Sequence, residues 1–289
     1  MIMKQIQWFP GHMAKTRREI REHVKFVDVV LELVDARIPY SSQNPDIDEM
    51  IGNTPKIILF NKADLADRNE LAKWRQYYAE KGVSTLDINA AAGQGLNKIL
   101  PLMKAVLGDQ IAKEIRQGRT PRPLRAMILG IPNVGTSTLI NSLASKKKRN
   151  TADRPGVTRE TQYIRVGSDF ELLDTPGILW PRFEDEGTAR KLALTGAIKD
   201  SILPKDEVVI AGFRLLNHYY PGRLEERYDI QVDIDDVVAI YDAIGRRRGC
   251  LLPGNEIDYE RVSDIFLHDF RHEQFGKLML DRVDEIADV

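Results

Sequence analysis

RAMILGIPNVGTSTLINSL, residues 125–143, is an apolar run, then a Gly-containing turn, then a stretch with helical periodicity. A buried strand that feeds a helix through a tight turn is the repeating unit of a doubly wound α/β sheet. It also aims the N–H groups of the turn at whatever anion lies in front of it. The turn itself, GIPNVGTST (130–138), keeps the phosphate-loop spacing G-x-x-x-x-G-K-[ST] at Gly130, Gly135 and Ser137. Thr136, however, stands where a lysine would reach the β and γ oxygens. Either this is a phosphate loop without its cation, or it is a Gly-rich turn of no chemical consequence.

The surrounding chain has the same alternation. VDVVLELVD (27–35), KIILFNKAD (56–64) and STLDINA (84–90) are short apolar runs ending in polar residues. NELAKWRQYYAEK (69–81) and LNKILPLMKAVLGD (96–109) between them have helical spacing, and TQYIRVG with DFELLDTPG predicts a hairpin joined near Gly167. The expected fold class is therefore α/β, a doubly wound sheet whose ligand site lies at the carboxyl ends of its strands. Beyond about residue 204 the pattern becomes helical. DIDDVVAIYDAIGRRRG (233–249) and YERVSDIFLHDFRHEQFGKLMLD (259–281) read as helices, with Val262, Ile265, Phe266 and Phe270 on one face of the second. A length of 289 residues suits two domains, 1–204 and a helical 205–289.

Two further strand ends bear on the loop at 130–138. DTPG (174–177) follows an apolar strand, where an Asp can hold Mg²⁺ through water and a Gly N–H can meet a γ-phosphate. NKAD (61–64) ends another, and Asn61 and Asp64 are spaced to hydrogen-bond a base edge. A carboxylate there accepts from the N1–H and exocyclic amine of guanine, whereas adenine offers the wrong donor pattern. Each tetrapeptide alone fits an ordinary strand-to-helix turn. All three at strand ends in one chain favour a guanine-nucleotide site.

An apolar share of 43% and a charged share of 29% describe a globular chain. No apolar run approaches the ~18 residues needed to span a bilayer, and MIMKQIQWFPGH lacks a signal-peptide core. A cytoplasmic protein with no membrane partner is expected. Cys250 is the single cysteine, which excludes an internal disulfide. The net charge of −1 conceals two opposite regions. Residues 1–204 hold 31 Lys and Arg against 24 Asp and Glu, and residues 205–289 hold 11 against 19. A near-neutral total therefore does not exclude a polyanionic partner.

The motifs resemble those of the translation-factor-related GTPases in an altered order, with NKAD and DINA ahead of the phosphate loop and DTPG last. That order is a circular permutation, and the basic, Pro-containing stretch KEIRQGRTPRPLR (113–125) lies where the new join is needed. With WFPGHMAK (8–15), DARIPYSSQNP (35–45) and DRPGVT (153–158), the chain closely resembles the bacterial YlqF/RbgA-type ribosome-assembly GTPases over nearly its whole length.

The resemblance implies GTP and GDP as ligands, with Mg²⁺, and a role in late maturation of the large ribosomal subunit. It assigns guanine reading to Asn61, Lys62 and Asp64, with Asn89 and Ala90 backing the base. Phosphates fall to Gly130, Val134, Gly135, Thr136 and Thr138, and Mg²⁺ to Ser137, to Thr158 of the first switch and to Asp174 of the second, which also contains Gly177. Asn133 takes the position that helps hold K⁺ in potassium-stimulated relatives, although Asn also favours tight turns. Ile178 follows DTPG where many GTPases place a water-orienting Gln, and the resemblance nominates His12 for that task. The alternative is that Gly11 and His12 only start the helix MAKTRREIREHV.

The expected partners are the large subunit and its rRNA, with the protein a monomer whose turnover the ribosome stimulates. In the family the helical domain contacts that RNA. Here its acidic balance leaves Arg246, Arg247, Arg248, Arg271 and Lys277 as a local basic patch. The competing expectation, which Thr136 keeps open, is a nucleotide-impaired RNA-binding scaffold without turnover.

Overall fold

Val29–Asp35, Val-Val-Leu-Glu-Leu-Val-Asp, is buried at all seven positions, as a central parallel strand covered on both faces must be. This strand, β1, is the middle of the sheet in the computed structural model. The model describes residues 10–120, 122–148, 163–166, 168, 170–173, 185–198, 200 and 204–286, but not the side chains of 10–16, 145–148 and 163. On one side β1 pairs in parallel with β2 (Lys56–Asn61), which pairs with β3 (Ser84–Asp87). On the other it pairs with β4 (Leu124–Gly130). Tyr163–Val166 (β5) and Phe170–Leu173 (β6) form the expected antiparallel hairpin, and β6 adds in parallel to β4. The order is β3-β2-β1-β4-β6-β5.

From β1 the chain moves outward through β2 and β3, returns to β4, and then moves outward the other way. The direction of crossover reverses between β1 and β4, which is where an open α/β sheet leaves a crevice at its carboxyl edge. Register brings the ends of three strands to that edge, with Asp35 opposite Asn61 and Gly130 opposite Leu33.

Alternate residues of the strands face two helical layers. On one face, α1 (Pro10–His23) and α2 (Ile47–Ile51) place Ile20, Ile47 and Met50 on Val30, Met127 and Leu129. Beside them α3 (Arg68–Glu80), whose N-terminus is capped by Asp67, packs Leu71, Trp74 and Tyr78 on Ile58 and Phe60. On the other face, α4 (Ile99–Val106), followed by α5 (Gly108–Arg116), and α6 (Thr136–Lys148) pack Met103 and Leu139 on Leu31, Leu59 and Ile128. The stretch read as a join therefore begins inside a helix and becomes extended only after it.

The helical region comprises α7 (Glu186–Leu194), α8 (Lys205–Tyr219), α9 (Arg223–Tyr228), α10 (Val237–Arg248) and α11 (Tyr259–Arg271), with a single turn, α12 (Val283–Ile286), at its end. Its core is continuous with that of the second sheet face through Leu192, Phe213, Phe266 and Phe270. The expected helix at 259–281 is corrected here: it stops at Arg271, and Glu273 and Gly276 turn the chain at φ +61° and +73°. In a continued helix Phe275 would point about 180° from Phe266. The turn instead lets it pack 5.4 Å from the Phe266 ring and 5.8 Å from Tyr228. Residues 277–281 then run back to the sheet edge, where Leu278 pairs with Ala66.

Gly212 on α8 crosses α11 so closely that a Cβ would lie 2.6 Å from the Phe266 ring and 2.9 Å from Leu194. Helix propensity alone would make Ala better by about 1 kcal/mol, but overpacking among buried rings costs about 1–3 kcal/mol. Gly212→Ala should therefore lower, not raise, the unfolding free energy in denaturant titration.

Candidate functional site

The phosphate loop hangs from the end of β4. A Cβ on Gly130 would meet the Leu33 carbonyl oxygen at 2.8 Å, so the loop can leave the strand at this height only with glycine. Asn133 adopts φ +60° and Gly135 φ +109°, and a Cβ on Gly135 would lie 2.4 Å from Asn61 Nδ2. Val134 is buried, Thr136 half-buried, and Ser137 and Thr138 exposed. Thr136 opens a 13-residue helix whose first N–H groups have no partners within the helix, which favours an anion in front of it. The Asn133 side chain donates to the Ala197 carbonyl at 3.2 Å, joining the loop to the segment after α7.

The β2 end meets this loop through Asn61, which is 3% exposed. Its Nδ2 donates to the Val134 carbonyl at 2.8 Å and its Oδ1 accepts from Ala90 N–H at 2.9 Å, so one amide holds the phosphate loop and the 88–90 turn together. Ser142 on α6 secures the same turn by donating to the Ala90 carbonyl at 2.7 Å. Asn89 spends its side-chain oxygen on Ala92 N–H within the turn. Lys62, left-handed at φ +57°, extends past the Asn133 carbonyl at 3.5 Å to Asp35 at 2.9 Å. Asp64 Oδ1 is buried and, among the described residues, receives no hydrogen bond. A buried acceptor without a donor is costly unless a ligand supplies one.

Asp35 and Arg37 form the part of the site to which the sequence reading assigned no role. Arg37 grips Asp35 with two guanidinium hydrogen bonds of 3.0 and 2.8 Å and a backbone N–H at 3.0 Å, and Lys62 adds a fourth donor at 2.9 Å. Burial alone would push the Asp35 carboxyl up, but Arg37 and then Lys62 outweigh it and hold it well below the usual carboxylate range. Arg37 also donates to the Thr195 carbonyl at 3.2 Å. The available signal was a charged Asp-Ala-Arg run at the end of a mostly apolar strand.

Thr158, Asp174 and Gly177 lie outside the described residues, as does the His12 side chain, although His12 falls within α1. Of the three expected Mg²⁺ ligands, only Ser137 is described, at the start of α6. Within the expected basic patch, Arg271 has a different occupation. It binds Asp200 at 2.7 and 2.8 Å and the carbonyls of Ala193 and Leu194, fastening α11 to the end of α7. Arg246 pairs with Asp242, Arg247 with Asp229, and Arg248 with Asp269.

Residues 125–211 match the family model described as 50S ribosome-binding GTPase, a match that starts at the phosphate-loop strand and leaves the NKAD segment (61–64) ahead of it. A "Ribosome biogenesis GTPase A" of Bacillus licheniformis is 50% identical over 97% of this chain and 99% of its own length. The mouse "Mitochondrial ribosome-associated GTPase 1" is 33% identical over 96% of this chain and 90% of its own length. The fold is similar to that in the crystal structure of GNP-bound YlqF from T. maritima, with a TM-score of 0.66 and 24% identity over 93% of this chain and 98% of that one.

Because the folded pKa of Asp35 lies below its ordinary value of about 4, its stabilising contribution is present above that pH and is lost as pH falls through the folded pKa. Asp35→Asn should cost about 3–5 kcal/mol near neutrality by leaving Arg37 and Lys62 unpaired. It should also flatten the loss of unfolding free energy below pH 4. Parallel acid limbs in the two proteins would overturn this assignment.

Proposed function

The chain belongs to the ribosome biogenesis GTPase A family, and on that premise we propose that it binds guanine nucleotides and hydrolyses GTP during late assembly of the large ribosomal subunit. The observation that supports this most directly is the meeting of the phosphate loop, the NKAD end of β2 and the 88–90 turn through the single side chain of Asn61, with an undonated Asp64 oxygen beside them. The donor set fits the ligand. N–H groups at the start of α6 face the phosphates, Lys62 lies along the base, and Asp64 accepts from its N1–H and amine.

In this reading Ser137, Thr158 and Asp174 hold Mg²⁺, which would neutralise charge on the β- and γ-phosphate oxygens. Gly177 offers its N–H to the γ-phosphate, and His12 orients the attacking water in place of the absent Gln. A potassium ion beside Asn133 rests on family resemblance, as do the roles of His12 and Thr158. Residues 1–204 act as the GTPase unit and 205–289 as the part that meets rRNA, with large-subunit binding stimulating turnover.

Thr136 weakens the cycle. It keeps a backbone N–H but removes a charge-assisted bond worth about 1.5–3 kcal/mol, or roughly ten- to a hundredfold in affinity. Loss of one donor at developing charge lowers the hydrolysis rate by about 10²–10³-fold more. The second reading, an RNA-binding scaffold without turnover, draws its support from this one residue.

Two measurements test these proposals. GTP and GDP should bind in preference to ATP, and Asp64→Asn should shift preference toward xanthine nucleotides by inverting one hydrogen-bond pair. Equal affinity of the unmodified protein for ATP and GTP would defeat the guanine assignment. Thr136→Lys should tighten GTP binding by at least tenfold and raise turnover in the presence of large subunits. No gain in either would show that another group already supplies the charge.

A further inference from the structure

Residues 278–281 touch the guanine-reading loop, the Asp35–Ser42 loop and α7 at once. Leu278 N–H donates to the Leu65 carbonyl at 3.0 Å, and Asp67 N–H donates to the Leu278 carbonyl at 3.2 Å. These two bonds bracket Ala66, two positions beyond Asp64. Leu280 N–H donates to the Arg37 carbonyl at 2.8 Å, and Trp74 Nε1 to the Asp281 carbonyl at 3.1 Å. The Asp281 carboxylate is fully buried and accepts from Ser41 N–H at 2.7 Å, Ser41 Oγ at 2.8 Å and Lys191 Nζ at 2.9 Å.

We infer that residues 278–281 are a positioning element for guanine recognition, latched by the Asp281–Lys191 ion pair. The inference rests on the guanine-nucleotide reading above and adds to it the element that sets specificity. A loop holding Lys62 at a positive φ carries strain and keeps that shape only where neighbours over-determine it. Of its neighbours, Asn61 fixes the start of the loop and Leu278 fixes its end. Asp64 lies between these two anchors, so loosening the second lets its carboxylate move relative to the base.

The latch also gives the base loop a route to α7. Lys191 is on α7, and the next turn of that helix carries the Thr195 carbonyl that Arg37 binds. A displacement of α7 would strip the cation from Asp281, and a buried carboxylate that loses its cation is destabilised where it sits. Residues 278–281 would then leave the loop, and nucleotide affinity would fall with them. A partner docking on the helical region could in this way promote nucleotide exchange without touching the nucleotide.

The test compares equilibrium binding of GDP, IDP and ADP to the full chain and to Lys191→Met, Lys191→Arg and Asp281→Asn. IDP lacks the amine that provides the second contact to Asp64, so the GDP:IDP ratio reports how well that carboxylate is placed. Lys191→Met should lower GDP affinity about tenfold and bring the ratio toward one, while Lys191→Arg keeps both near the starting values. Asp281→Asn should behave as Lys191→Met does. Because Asp281 is buried and that variant can fail to fold, the partly exposed Lys191 provides the decisive pair. A folded Lys191→Met protein with unchanged GDP affinity and ratio overturns the inference while leaving the guanine reading intact. An unmodified protein that does not prefer GDP over ADP overturns both.

Discussion

Asp35 is a carboxylate removed from water at the end of a strand buried on both faces, and a group in that position survives only where donors replace the water. Arg37 and Lys62 supply them, and each is committed elsewhere as a result. Lys62 is drawn across the Asn133 carbonyl toward the phosphate loop, and Arg37 reaches the Thr195 carbonyl while its own carbonyl receives Leu280. The carboxyl edge of the sheet is thereby organised around one buried negative charge. Its three satellites belong to the loop after β2, the helical region and the returning segment.

The strands and the motif positions were legible in the sequence because they depend on local pattern. Residues 29–34 alternate between two covered faces, Gly130 and Gly135 are required by close approach, and Asn61 ends a strand. What could not be read depends on residues remote in the chain. The apolar spacing through Phe275 and Leu278 imitates a helix, but a turn after Arg271 packs Phe275 on Tyr228 and pairs the Leu278 backbone with Ala66. Arg271 looked like a surface cation because nothing local announces Asp200 as its partner. Asp35 and Arg37 lie in a recognisable stretch, yet their importance comes from Lys62 and Thr195, which only the fold brings to them.

The arginines of the helical region are likewise occupied by pairing. Asp269 is buried, and although burial would raise its carboxyl, Arg227 holds it below the ordinary value, with Arg248 at 3.7 Å from the same oxygen. Tyr228 lies beneath both guanidinium groups, at 5.9 and 5.2 Å. Arg227, Arg248 and Arg271 thus hold helices together, and each is paired with a carboxylate before any polyanion approaches.

The bonds from Ser41 and Trp74 to Asp281 span 240 and 207 positions of the chain. The pairings of the sheet span at most 97 positions, between β1 and β4, but these two closures must wait until both regions have condensed, since long loops are closed at an entropic cost that local contacts do not repay. The site is therefore expected to mature in two stages during folding, first the sheet edge and later its lock. A guanine nucleotide that favours the locked form would act as a folding ligand as well as a substrate, drawing newly made chains through the last step by mass action.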